Sequence, residues 1–201
     1  MSKLERIKYK PVSVREALVE MKDDSGLMID LAYSAMLFNN YELCQEVWDL
    51  ENRIDTLGYI LEMNLMIAAK DPDDAEDLVG ILKVADATDM IAEAAGDIAR
   101  LLAQGIGLHP VVRDAFKAAR ERLVRTKVGR TSPILGKTIG ELDLAPRIGM
   151  DIIAIRRGKE WIIDPSENER LAEDDILFAR GAPRGAKILN ELTGGTTQGF
   201  E

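Results

Sequence analysis

The sequence predicts an α+β protein: an N-terminal all-α up-and-down helical bundle followed by a small α+β domain. Two changes of texture carry that reading. Up to about residue 122, apolar residues recur every three or four positions, the period of an amphipathic helix. Beyond it, short alternating runs are broken by Gly and Pro, as in short strands joined by turns. At 201 residues the chain has room for two modest cores. The boundaries predicted are residues 1–122 for the bundle, 123–193 for the α+β domain and 194–201 for a flexible tail.

The first helix is expected from Ser13 to Phe38, where Ala17, Met21, Met28, Leu31 and Ala35 keep the helical period and Gly26 marks a bend. Asn39-Asn40 stops it and caps a second helix, Tyr41 to about Lys70, striped by Leu43, Val47, Leu50, Ile54, Leu57 and Leu61. Asp71-Pro72-Asp73 ends that helix and starts a third, running to about Gln104. A fourth, shorter helix is expected from His109-Pro110 to about Arg122. Short connections between long helices imply antiparallel neighbours. From Leu123 the expected order is β-α-β-β-β-α: a strand to Val128, a short helix Thr138 to Leu142, strands Ile152 to Ile155, Trp161 to Ile163 and Ile176 to Arg180, and a helix Arg184 to Leu192. A mixed or antiparallel sheet follows.

Composition narrows the function classes. Thirty-five Asp and Glu against 26 Lys and Arg give a net charge of −9, which argues against general nucleic-acid binding through clustered bases. The single cysteine, Cys44, excludes an intramolecular disulfide and a cysteine zinc cluster. The first ten residues are charged, and no stretch approaches the ~20 apolar residues of a membrane span, so a cytoplasmic protein is expected. His109, the only histidine, precedes a proline where capping explains it, and neither a Gly-x-Ser-x-Gly nor a phosphate-binding loop occurs. No enzyme is expected.

The acids of the bundle form a pattern. Glu93-Ala94-Ala95-Gly96-Asp97 is mirrored by Glu51-Asn52-Arg53-Ile54-Asp55, and residues four apart share a helix face. Reflection about Pro72 sets Glu51 opposite Glu93 and Asp55 opposite Asp89. A cluster of Glu51, Asp55, Asp89 and Glu93, with Asp97 one turn on, would hold a hard divalent or trivalent cation such as iron, manganese or magnesium. Two other readings stay open: a solvated acidic face without ligand, and ion pairs of Arg53 or Arg100 with these acids.

Gly136-Lys137-Thr138-Ile139-Gly140-Glu141-Leu142, Gly149 to Gly158, Ile163-Asp164-Pro165 and Leu171 to Gly181, in that order, resemble the C-terminal domain of potassium-uptake regulators, the TrkA-C or RCK-C family. Asp174 stands where the family commonly has Gly. The helical segment resembles a PhoU domain, whose acid-x-x-x-Asp motif is matched by Glu93 to Asp97 and Glu51 to Asp55; Ala94 and Ala95 replace the usual Arg and Ile. That resemblance implies a regulator of transport whose acids bind iron or similar ions in some members. The Gly-x-Gly-x-x-Gly loop of the Rossmann domain that usually precedes TrkA-C does not occur in this sequence.

In the TrkA-C family some members bind cyclic di-AMP between two subunits through this strand region. Here alternation sets Ile153, Ile155 and Arg157 on one face, near Ile162, Ile163 and Pro165, an apolar wall with a cationic rim that would suit cyclic di-AMP or another nucleotide across a two-fold axis. A solvated hairpin edge is the other reading of the arginines. The expectation is a cytoplasmic homodimer, peripheral to the membrane through its partner, that regulates a membrane potassium or other cation transporter by sensing a small ligand. The alternative is a metal-binding PhoU-like regulator of phosphate handling with a C-terminal dimerisation module.

Overall fold

In the computed structural model, residues 7–106, 109–110 and 122–197 are described. Contacts divide the chain at residue 107 into two compact units. The expected fourth helix lies almost entirely outside the described residues.

The first unit is built on three long helices, α1 (Val14–Phe38), α2 (Tyr41–Ala68) and α3 (Pro72–Ala103), each packed against the other two. Their ends follow from local chemistry. Ser13, Asn40 and Asp71 each accept a hydrogen bond from a first-turn backbone N–H, and Pro72 begins α3 where no helical donor is lost. Asn39, at φ 54°, ends α1 in the left-handed conformation that asparagine tolerates. The helix α1 continues through Gly26, so the glycine does not interrupt it. Met21, Met28, Leu31, Leu50, Ile54 and Leu61 are wholly buried between the helices. Each such side chain contributes roughly 1.5–3 kcal/mol of burial, more than the helices' intrinsic propensities supply.

The second unit is a four-stranded antiparallel sheet in the order β1-β4-β2-β3, formed by β1 (Arg122–Lys127), β2 (Met150–Arg157), β3 (Glu160–Ile163) and β4 (Ile176–Gly181). Two short helices, α4 (Ile139–Leu142) and α5 (Leu144–Ile148), precede β2, and α6 (Pro183–Gly194) follows β4. Thr138 and Glu141 form a reciprocal capping box on α4. The helix α5 is a correction to the sequence expectation. Asp143, at φ 47°, ends α4 and starts α5 in one step, so two single turns stand where one was expected. The last helix also runs two residues past Leu192, taking in Gly194 of the expected tail.

Ile134, Leu142, Met150, Ile155, Leu177 and Leu189 form the centre of this core between the sheet and its helices. One glycine lets helix α6 approach the start of β2 closely, and another does the same for the end of β4. A Cβ on Gly181 would meet the Gly149 carbonyl oxygen and lie 2.9 Å from Met150 Cα, and one on Gly185 would lie 2.7 Å from Met150 Cγ.

A β-bulge corrects the expected side-chain parity of β2. Its pairing with β4 skips Ile153: Ile152 faces Ala179, but Ala154 faces Phe178. Beyond the bulge, Ile155 turns into the core with Ile152, and Ala154 and Arg156 take the opposite face. Ile153 therefore does not share a face with Ile155 and Arg157.

Candidate functional site

The helical acids come together at the α2–α3 contact, but in a different register from the expected reflection. Glu51 lies over Gly96, not opposite Glu93; a Cβ on Gly96 would stand 2.6 Å from Glu51 Oε1. Only glycine admits the carboxylate there. Arg100, one turn on, donates from Nη2 to both Glu51 oxygens at 2.6 and 2.7 Å and from Nη1 to Asp97 at 2.8 Å. Glu51 and Asp97 are thus held by a guanidinium, the ion-pair reading of the sequence.

Asp55, Asp89 and Glu93 line a groove of about 260 Å³ with Gly58, Tyr59 and Glu62. Burial raises the Asp55 carboxyl above its ordinary value, helped by the charges of Glu51 and Glu93 and opposed by Arg100. Burial raises Asp89 likewise, with Asp55 and Asp86 adding to it. Among the described residues, no three His, Cys, Asp or Glu side chains converge to hold a metal ion. The set Glu51, Asp55, Asp89, Glu93 and Asp97 therefore does not fit a metal centre as it stands: two members serve Arg100, and the rest spread along a groove.

Gly96→Ala tests this contact. The added methyl must push the Glu51 carboxylate, the end of a flexible side chain, out of its bonds with Arg100, a loss on the order of 1–2 kcal/mol and somewhat more than the helix propensity alanine returns. The expected result is a lower thermal midpoint. In a Glu51→Ala background the same change should be neutral or stabilising, because the clash has gone.

In the second unit the β2–β3 hairpin divides its residues between two faces. Ile155 is fully buried and Ile162 packs against the same core. Ile153, Ile163 and Pro165 are half-buried. On the face away from the core, Trp161 stacks on Phe178 with ring centroids 5.0 Å apart, and the Arg156 guanidinium lies 6.0 Å from the Trp161 ring.

Arg157 does not stand at a cationic rim. Its Nε and Nη2 donate to the two oxygens of Asp175, both at 2.9 Å; Nη2 also reaches the Arg170 carbonyl at 2.8 Å, and Nη1 lies 3.0 Å from Glu169. The Asp175 hydrogen bonds raise its pKa above the usual guanidinium range. Four of its five N–H donors are directed at its own chain, which leaves Arg157 at most one for a phosphate. Asp175 and Glu169, both missed as partners, lie eighteen and twelve residues along the chain, and no spacing rule connects them to Arg157.

Pro165 borders a cavity of about 360 Å³ between α4, α5 and the start of β2, with Leu144, Met150 and Ile152 at its wall and Asp143, Asp151, Asp164 and Glu167 around it. Four exposed carboxylates around this cavity disfavour a phosphate by like charge and favour a hydrogen-bond-donating group such as an aminopurine edge.

The TrkA-C domain matches residues 123–193 and the PhoU domain residues 18–102. The chain joins a PhoU-like helical domain to a TrkA-C domain. The Ktr system potassium uptake protein C of Bacillus subtilis (strain 168) is 31% identical over 94 residues, 47% of this chain and 42% of that protein. This chain thus spans less than half the length of that curated relative. Two solved structures are also similar. The RCK C domain of potassium transport protein KtrA in complex with cyclic diadenosine monophosphate is 32% identical, covering 40% of this chain and 93% of that one, at a TM-score of 0.34. The RCK_C domain dimer of S. agalactiae BusR with c-di-AMP is 25% identical, covering 36% and 90%, at a TM-score of 0.34. Among the described residues, no helix is long and apolar enough to cross a membrane.

Proposed function

We propose that this chain is a cytoplasmic, non-catalytic regulator of a membrane potassium transporter, acting as a homodimer and sensing a small ligand through residues 123–193. The observation that carries the reading is the TrkA-C match over those residues, in a chain related to a potassium uptake protein. The lining of the site supports one ligand class. The half-buried Ile153, Ile163 and Pro165 offer apolar surface to a base, and the acid-rimmed cavity beside Pro165 accepts its amino group. An adenine nucleotide meets both demands, and cyclic di-AMP adds the two-fold symmetry of a dimer. Its phosphates lie outside the cavity and away from Arg157. The alternative of a metal-dependent phosphate regulator is less well supported, because Arg100 holds two of its five ligands.

Calorimetric titration of the full chain with cyclic di-AMP, ATP, ADP and AMP tests the ligand. Binding tighter than about millimolar is expected for at least one, weakened at least tenfold in Ile163→Asp, which places a charge against the base. If none binds, or Ile163→Asp binds as wild type does, residues 123–193 are not a nucleotide sensor of this kind. Purification from the native membrane fraction should recover a potassium transporter, and recovery of none would remove the partner.

A further inference from the structure

Two apolar seams run side by side along α3. Ala85, Ala92, Ala95, Ala99 and Leu102 are buried against the other helices. One position earlier, Val84, Ala87, Ile91, Ala94, Ile98 and Leu101 repeat the same alternation of three and four residues, the spacing of a helix-pairing seam. Among the described residues this second seam is largely uncovered: Val84 is 57% exposed, Ile91 44% and Leu101 43%, and Ile98 is half-buried. Its direction is fixed by the first. Gly96 and Arg100 meet Glu51 of α2, and at 3.6 residues per turn Ile91, Ala94 and Ile98 fall on the far side of α3 from that contact. An apolar strip of about five turns on one helix is more than isolated surface side chains account for.

We propose that this seam pairs with the same seam of a second copy of the chain, antiparallel about a two-fold axis at Ile91. The sequence is self-complementary in that arrangement. Ile91 meets its own copy, Val84 falls opposite Ile98, and the small Ala87 and Ala94 lie about one residue apart in level and let the helices approach. Lys83 and Asp97, each one position before a seam residue, flank the strip. Antiparallel pairing puts Lys83 and Asp97 of the second copy on the same flank, about two residues apart in level and within reach of the long lysine side chain, twice by symmetry. Both groups sit at the surface, where their present pairs, Lys83 with Asp86 at 3.2 Å and Asp97 with Arg100 at 2.8 Å, exchange at little cost. Packing against α1 and α2 already holds α3 as a helix, so pairing does not carry the ordering entropy that makes a short isolated coil marginal. This interface lies in the first unit and does not depend on the ligand reading of the second.

Cysteine cross-linking of the full chain reads the proposal directly. Cys44 is buried, so a disulfide reports the introduced thiol. Under mild oxidation Ile91→Cys should give a disulfide-linked dimer in high yield, while Asp73→Cys, exposed at the start of α3, should give little. In the Ile91→Cys background, Lys83→Glu and Asp97→Lys should each cut the cross-linking rate by about tenfold, and their combination should restore it. Cross-linking at 91 no faster than at 73, or a charge-swapped double variant no better than either single one, overturns the proposal.

Discussion

Replacing Arg157 by alanine is expected to destabilise the second unit by about 3–5 kcal/mol, the cost of leaving a buried charge without its partner. The carboxylate left behind is Asp175, which has no exposure to solvent; its other hydrogen bond comes from the Ala172 N–H at 2.8 Å. The guanidinium also ties the end of β2 to Glu169 and to the Arg170 carbonyl, so the loop before β4 loses its anchor as well. Arg157→Lys keeps the charge but not the planar fork, and should fall between wild type and alanine. Arg157→Ala/Asp175→Ala should be less damaged than Arg157→Ala alone, because no unpaired carboxylate remains. Trp161 fluorescence during denaturant unfolding reports this unit, and a loss under about 1 kcal/mol for Arg157→Ala would show that the pair does not hold it together. A nucleotide that failed to bind Arg157→Ala would then report unfolding, which is why the ligand test uses Ile163.

The bundle was legible because helical period, capping and proline placement are local signals, and all three agree from Ser13 to Gln104. What escaped the sequence depends on pairing. Reflection about Pro72 assumes a symmetric hairpin, yet α2 and α3 meet in a register that seats the Glu51 carboxylate over Gly96. The bulge at Ile153 is likewise invisible in β2 alone, since it exists only relative to β4. With it went the expectation that Ile153, Ile155 and Arg157 line one pocket. Asp143 joining two helical turns needed a left-handed aspartate that composition does not announce. One feature was there to be read. Ala17, Met21, Asp24, Met28, Leu31 and Ala35 share one helical period, and the acid in that series stands in the core.

That acid should make stability fall as pH rises from about 4 to 7. Asp24 is wholly buried on α1, and burial pushes its carboxyl from 3.8 up to about 7; the Arg53 charge opposes the rise, and the charges of Glu20 and Asp23 add to it. Its Oδ1 accepts from Arg53 Nη1 at 3.0 Å, while Oδ2 has no partner. Within the window the folded chain keeps a proton that the unfolded chain has released, so folding binds protons and each step up in pH weakens it. The loss is complete above the folded value and amounts to about 4 kcal/mol. Arg53 stays anchored throughout, because Glu20 holds its Nη2 at 2.8 Å, so neutral Asp24 leaves no free cation. Asp55 and Asp89 are raised too and add a slope of the same sign, which makes the difference between wild type and Asp24→Asn the informative quantity. Asparagine keeps the shape and an acceptor for Arg53 without the ionisation. Urea unfolding followed by Trp48 fluorescence should show the wild-type midpoint falling from pH 4.5 to 7.5, and the Asp24→Asn midpoint falling much less and ending higher. Parallel curves for the two proteins would mean that Asp24 ionises in the fold as readily as in water, and that its burial carries no pH dependence.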